Sequence, residues 1–141
     1  MILYAESSAV LTWLLSQERA SEIGSTLAAA ELIISSDLTL LECERVLVRG
    51  SAMGDLTEGE TTNRQVVLRT AAQHWMLMGF APAVIERAQR TFPLEPLRTL
   101  DALHLSFVLE ARRMLPEVRI LSLDGRIRET ARRLGLEITP V

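Results

Sequence analysis

The stretch LRTLDALHLS, from Leu97 to Ser106, is the segment around which the rest of the chain is organised. Its apolar residues Leu100 and Leu103, followed by Phe107, recur at helical spacing and predict the start of a buried helix. We interpret Thr99 as the N-cap, because the prolines just upstream favour an extended approach to the helix.

Asp101 falls in the first turn of this predicted helix. The helix dipole favours negative charge there, so the acid on its own indicates no more than a stabilised helix start. A run this apolar seldom carries a carboxylate inward unless the carboxylate is paired or binds a metal. The acids elsewhere in the chain therefore decide how Asp101 is interpreted.

The composition predicts a single globular domain over residues 1–141. Hydrophobic residues make up 48% and charged residues 23%, which is ordinary for such a domain. No apolar run reaches membrane-spanning length, and no basic region precedes the first apolar residues as in a signal peptide. The single cysteine excludes an internal disulfide and fits a reducing cytoplasm, while two separated histidines exclude a conventional zinc cluster.

The charge balance argues against binding of nucleic acid by bulk positive charge. The formal net charge is −3 and the pI is about 5.4. A local basic patch remains compatible with these values. Every basic residue is arginine, which suits contacts to phosphate, although genome composition explains the same bias and is the explanation we favour.

Short β-rich runs alternate with helical segments along the whole chain. The predicted strands are 1–5, 32–35, 74–80, 118–123 and 136–138. The predicted helices are 9–15, 18–30, 38–48, 57–73, 83–90, 99–115 and 126–134, with a loop over 50–55 and a capping box between Thr57 and Glu60. We expect Leu40, Leu41, Val46 and Leu47 to form the buried stripe of the third helix. The alternation predicts an α/β fold whose parallel sheet is covered on both faces.

Four acids fall at related places in this pattern. Glu6 and Asp124 each follow a predicted strand directly, whereas Glu42 and Asp101 lie near helix starts. In a parallel sheet these positions open on one edge, where ligands bind. Clustered carboxylates raise one another's pKa values unless a cation neutralises them, and oxygen ligands suit Mg²⁺ or Mn²⁺. The spacing therefore predicts a metal site, although acids at helix starts are common.

Four motifs resemble the PIN-domain ribonucleases, especially the toxin half of VapBC-type toxin–antitoxin pairs. They occur in family order and are YAESSA (4–9), LTLLE (38–42), LRTLDALHLS (97–106) and a closing motif made of LSLD (121–124) followed by ARRLGL (131–136). Each motif is short, but together they span nearly the whole chain. The resemblance implies a three-layer α/β/α sandwich with a mostly parallel central sheet.

The resemblance also implies a function and a site. It implies a metal-dependent endoribonuclease that acts as a toxin, cleaves RNA, forms homodimers and is inhibited by a cognate antitoxin. It carries over the acids Glu6, Glu42, Asp101 and Asp124, with Ser8 and Ser122 as supporting residues. We expect Mg²⁺ or Mn²⁺ to be held by Glu6, Asp101 and Asp124, with Glu42 as a further ligand or as the base that orients the water.

Glu6 departs from the family pattern, which has Asp as its first acid. One extra methylene moves the carboxylate by roughly 1 to 1.5 Å, and metal distances hold to within about 0.2 Å. The alternative is therefore a non-catalytic PIN-fold binding module with a weakened metal site. A receiver-like phosphoacceptor domain also clusters acids at strand ends, but it needs a lysine near them and this chain has none.

Other residues admit two interpretations each. We favour a satisfied, partly buried helix residue for His104, over a role in orienting a water or Asp101. Arg98 is equally compatible with a phosphate contact and with a surface salt bridge. Trp13 and Trp75 are predicted to pack rather than to stack on bases, and Cys43 to be a small buried hydrophobe.

Overall fold

The alternation expected from the sequence runs through the whole molecule. The computed structural model describes residues 1–141 and contains five strands and seven helices. In chain order they are β1 (Ile2–Ala5), α1 (Ser7–Leu14), α2 (Ala20–Ala29), β2 (Leu32–Ser36), α3 (Asp37–Ala52), α4 (Glu58–Ala72), β3 (Met76–Met78), α5 (Pro82–Ala88), α6 (Thr99–Met114), β4 (Arg119–Leu121), α7 (Gly125–Arg133) and β5 (Glu137–Thr139). None of the helices combines the length and apolar character that a membrane span requires.

The five strands form one sheet in the order β3-β2-β1-β4-β5, and every pairing is parallel. Tyr4 in the central strand lies opposite Ile34 on one side and Ile120 on the other. The chain adds β2 and β3 on one side of β1 and then crosses to β4 and β5. The carboxyl ends of all five strands therefore meet at one edge, with the change of direction beside β1.

The two faces of the sheet are covered by different helices, as the alternation of side chains along β1 requires. Tyr4 belongs to a core that includes side chains of α5, α6 and α7: Val84, Leu105, Phe107, Ile127 and Ala131. Leu3 and Ala5 belong to the opposite core, with side chains of α1 to α4: Val10, Ile23, Cys43, Leu47 and Leu68. The predicted three-layer α/β/α arrangement is confirmed, and the prediction that Cys43 is buried is confirmed with it.

Two predicted helix boundaries were wrong. Arg98, with extended backbone, is the N-cap of α6, and Thr99 is the first helical residue rather than the cap. Helix α3 continues through Gly50 to Ala52, where a loop was predicted to begin. Gly50 is used for close approach instead of helix termination, because a Cβ at this position would lie 2.9 Å from Leu56 Cδ1. The capping box between Thr57 and Glu60 was predicted correctly.

The predicted buried stripe of α3 was half wrong. Leu47 is fully buried, but Leu41 is 56% exposed and Val46 is 36% exposed. Leu100 of α6, also predicted to be buried, is 47% exposed. These apolar side chains line a surface cavity instead of the core, which the helical spacing of apolar residues does not distinguish.

Candidate functional site

A cavity of about 730 Å³ opens at the carboxyl edge of the sheet, and all four predicted acids line it. Glu6 follows β1 and is the N-cap of α1, while Asp124 follows β4 and is the N-cap of α7. Glu42 lies in the second turn of α3, and Asp101 lies in the first turn of α6. The cavity thus lies beside β1, where parallel α/β sheets place their ligands.

Serine residues hold both carboxylate oxygens of Glu6. Oε1 accepts a hydrogen bond from the Ser8 backbone N–H at 3.1 Å and lies at the same distance from Ser7 Oγ, whose single proton has a shorter bond to Glu42. Oε2 accepts from Ser122 Oγ at 2.7 Å and from Ser8 Oγ. Ser8 Oγ also accepts from the Leu123 N–H at 2.9 Å, so the cluster joins the end of β1 to the end of β4. The serines that the resemblance placed near a metal, Ser8 and Ser122, therefore contact Glu6.

Glu42 is held through one oxygen. Its Oε1 lies 2.5 Å from His104 Nε2 and accepts a hydrogen bond from Ser7 Oγ at 2.8 Å. Burial raises the pKa of Glu42, but the hydrogen bonds from His104 and Ser7 outweigh it, so the pKa lies below its ordinary value. His104 is 1% exposed and hydrogen-bonded at both ring nitrogens. The favoured interpretation of a satisfied helix histidine agrees with this geometry, with Glu42 as its acidic partner.

Asp101 is the acid that the protein satisfies least. Its Oδ2 is buried and has no hydrogen-bond partner. The nearest cation is Arg98, whose Nε lies 3.5 Å away on a side chain that is 83% exposed. Burial raises the pKa of Asp101, and the charge of Asp124 raises it further, against a smaller opposing effect of Arg98. Arg98 therefore makes an exposed ion pair, which is one of the two roles considered for it.

Asp124 divides its carboxylate between two surroundings. Its Oδ1 accepts a hydrogen bond from the Ile127 N–H at 2.9 Å and caps α7. Its backbone N–H donates to Ser122 Oγ at 3.1 Å, which ties it to the serine cluster. No hydrogen bond reaches Oδ2, and the charge of Asp124 acts on Asp101. The two aspartates thus form a mutually repelling pair with free oxygens.

The donor set fits a hard divalent cation at this pair. Carboxylate oxygens are the ligands that Mg²⁺ and Mn²⁺ prefer, and the buried Oδ2 of Asp101 has no hydrogen bond and only the exposed Arg98 as an ion partner, 3.5 Å away. No group of three or more His, Cys, Asp or Glu side chains forms a ready-made cage. The structure brings all four predicted acids to one cavity, but it leaves free oxygens on Asp101 and Asp124 while the serines hold both oxygens of Glu6.

Several residues of the cavity were missed from the sequence. Ser7 links Glu6 to Glu42, and the Tyr4 hydroxyl lies 3.1 Å from His104 Nδ1. Arg45 was missed too, and it lines the cavity together with Arg98, which the sequence analysis considered, and five apolar residues: Leu11, Leu38, Leu41, Val46 and Leu100. The position of Ser7 directly after Glu6 was a usable signal. The apolar wall gave none, because its residues have the spacing of a core-facing helix.

A family model matches this chain, and solved structures share its fold. The family model of the PIN domain matches residues 3–133. The structure of VapBC2 from Rickettsia felis, bound to a DNA fragment from their promoter, is similar with a TM-score of 0.65 and 13% identity over 98% of this chain and 97% of that chain. Mycobacterium tuberculosis VapC20, a sarcin-ricin loop cleaving toxin, is similar with a TM-score of 0.64 and 13% identity over 90% of this chain and 93% of that chain. No curated protein matches the sequence at a significant level.

Proposed function

This chain belongs to the PIN-domain family, and from that premise we propose that it is a metal-dependent endoribonuclease, the toxin of a toxin–antitoxin pair. The observation that carries the proposal is the buried Oδ2 of Asp101, which has no hydrogen bond, beside the charge of Asp124. A carboxylate pair arranged in this way costs stability in the free protein. Binding of a divalent cation removes that cost.

Each acid has a role in this proposal. Asp101 and Asp124 hold Mg²⁺ or Mn²⁺, and Glu6 joins them as a ligand only by giving up a serine hydrogen bond. When bound, the cation acidifies a water molecule and stabilises the negative charge that develops on the RNA phosphodiester. Glu42 accepts the proton of the attacking water through Oε2, because Oε1 is occupied by His104 and Ser7.

The surroundings of the acids support an RNA substrate and a protein partner. A chain with a net charge of −3 and an acidic cavity repels phosphate unless a cation intervenes. Arg45 and Arg98 at the cavity supply local positive charge for the RNA backbone. The apolar wall offers a surface to a cognate antitoxin, which we propose by similarity to the VapBC2 structure. A cytoplasmic homodimer completes the proposal by family resemblance.

One observation favours a second candidate, a non-catalytic binding module. Both oxygens of Glu6 already accept hydrogen bonds, so this acid has no need of a metal. A site that rests on two aspartates alone binds cations weakly. In that case the fold is kept for its protein partner.

Cleavage of structured RNAs with Mn²⁺ separates the two candidates. We expect the wild-type protein and the control Asp55→Asn, which removes an exposed acid outside the cavity, to cleave equally. Asp101→Asn should lose the activity, because it removes a proposed ligand. Equal cleavage by all three proteins contradicts the proposed site. Absence of cleavage by any of them, with no Mn²⁺ binding by calorimetry and intact antitoxin binding, favours the binding module.

A further inference from the structure

A hydrogen-bonded series of polar side chains, most of them buried, runs from the interior of the sheet to the acidic cavity. Ser36 Oγ lies 2.8 Å from the Tyr4 hydroxyl, which lies 3.1 Å from His104 Nδ1. On the other side of the ring, His104 Nε2 lies 2.5 Å from Glu42 Oε1. The first three members, Ser36, Tyr4 and His104, are each no more than 1% exposed, so bulk water does not interrupt this hydrogen-bonded series.

The chemistry of these groups fixes the direction of the hydrogen bonds for a neutral imidazole. An ionised Glu42 only accepts, so His104 must carry its proton on Nε2 and donate it. Nδ1 then has no proton and must accept from the Tyr4 hydroxyl. Tyr4 in turn accepts from Ser36, whose Oγ is already an acceptor for the Thr39 N–H at 3.2 Å. Each of the three donors, Ser36, Tyr4 and His104, therefore donates in the direction of Glu42.

The same hydrogen bonds determine which carboxylate oxygen of Glu42 is available. His104 Nε2 and Ser7 Oγ both donate to Oε1, and no hydrogen bond reaches Oε2. A carboxylate fixed through one oxygen presents the other in a defined direction. The side chain of Glu42 is 26% exposed, so this free oxygen has access to the cavity.

Resting on the proposed function, we propose that His104 is a positioning residue, which fixes Glu42 by donating from Nε2 so that Oε2 can take the proton of the attacking water, and that Tyr4 supports the orientation of the ring by donating to Nδ1. His104 and Tyr4 are buried side chains that the proposed metal site does not use. The orientation of Glu42 thus depends on one residue more than 35 positions before it in the sequence and on one more than 35 positions after it.

Substitutions with and without a donor test the role of His104. His104→Gln keeps an N–H near the position of Nε2, whereas His104→Leu fills the space without one. We expect His104→Leu to lower kcat by roughly 10- to 100-fold, a part of what a positioned base contributes, with unchanged KM and unchanged Mn²⁺ affinity by calorimetry. His104→Gln should recover most of the loss. Ser106→Ala, which changes a buried residue of the same helix that bonds only the Ala102 carbonyl, is the matched control.

Coupling distinguishes positioning from a structural role. In a Glu42→Gln background, His104→Leu should cause no further loss of kcat, since its effect passes through the Glu42 carboxylate. Equal losses for the Leu and Gln variants, or additive losses with Glu42→Gln, overturn the inference. Tyr4→Phe keeps the shape of the core, so a normal unfolding midpoint with lowered kcat supports the inference even where a His104 variant fails to fold.

The tautomer provides a readout that needs no activity. The ¹⁵N chemical shifts of the His104 ring should show a protonated Nε2 and an unprotonated Nδ1, because an ionised Glu42 can only accept from Nε2. Protonation of Nδ1, whether alone or together with Nε2, overturns the inference, whatever the activity. Absence of cleavage by the wild-type protein with the expected tautomer instead overturns the proposed function and leaves the hydrogen-bond assignment standing.

Discussion

Replacing Asp101 by Asn removes a charge that the folded protein does not satisfy, so we expect the metal-free protein to become more stable. A buried polar group without a hydrogen bond costs about 1–3 kcal/mol, and more when it is charged. The ion pair with the exposed Arg98 returns about 0–1 kcal/mol of this. We therefore expect Asp101→Asn to raise the free energy of unfolding by about 1 kcal/mol, or the Tm by about 3 °C.

Thermal unfolding with EDTA measures the stability of the metal-free proteins, and thermal unfolding with Mn²⁺ measures how far the cation stabilises each of them. With EDTA the variant should melt above the wild-type protein. With Mn²⁺ at a hundred times its Kd, the wild-type protein should gain about 2.7 kcal/mol by mass action. The variant should gain little, so the order of the two melting temperatures reverses. The control Asp55→Asn should follow the wild-type protein in both conditions.

The raised pKa of Asp101 adds a pH dependence with a definite sign. The folded protein binds this proton more tightly than the unfolded chain, so stability falls as pH rises through the interval between the two pKa values. At low pH the wild-type carboxyl is protonated and resembles an amide. The stability difference between Asp101→Asn and wild type should therefore vanish on acidification.

Two results refute this reasoning. A variant that melts below the wild-type protein with EDTA shows that the Asp101 carboxylate is stabilising, as it is in an ordinary salt bridge or cap. Equal stabilisation of both proteins by Mn²⁺ shows that the cation binds somewhere other than at the pair formed by Asp101 and Asp124.

Three further predictions concern groups that the protein already satisfies. Glu6→Asp withdraws the carboxylate from Ser122 Oγ, now 2.7 Å away, and should lower the free energy of unfolding in urea by about 1 kcal/mol; no loss contradicts the serine-held geometry. The lowered pKa of Glu42 means that its contribution to stability is present above its unfolded pKa and is lost as pH falls through its folded pKa. Glu42→Gln should flatten that part of a urea-midpoint series taken from neutral pH to about pH 3. Thr57→Ala breaks the exposed capping box of α4 and should cost about 1 kcal/mol by the same measurement, with RNA cleavage unchanged.

The layout of the fold was predictable because it depends on local properties of the chain. Short apolar runs separated by helical segments dictate parallel strands, and Glu6 and Asp124 follow β1 and β4 directly. Any residue at such a position lies at the carboxyl edge of the sheet. The convergence of the acids on one cavity thus follows from topology, without knowledge of any side-chain contact.

The hydrogen-bond partners were not predictable in the same way. His104 and Glu42 are 62 positions apart, and Ser8 and Ser122 are 114 apart, so each contact depends on the packing of two different helices or strands. The exposure of Leu41 illustrates the same limit. Apolar residues at helical spacing have the same pattern whether they line a core or a cavity, and only the tertiary structure separates the two.

The four acids of the cavity form two pairs with different surroundings. Glu6 and Glu42 receive hydrogen bonds from serines, and Glu42 also receives one from His104. Asp101 and Asp124 keep free oxygens and repel each other. In this arrangement Glu is tolerated as the first acid, because its longer side chain accepts a hydrogen bond from Ser122. In the proposed site, the two aspartates contribute most of the binding of a cation. Restoring Asp at position 6 should therefore change stability more than it changes the affinity for Mn²⁺.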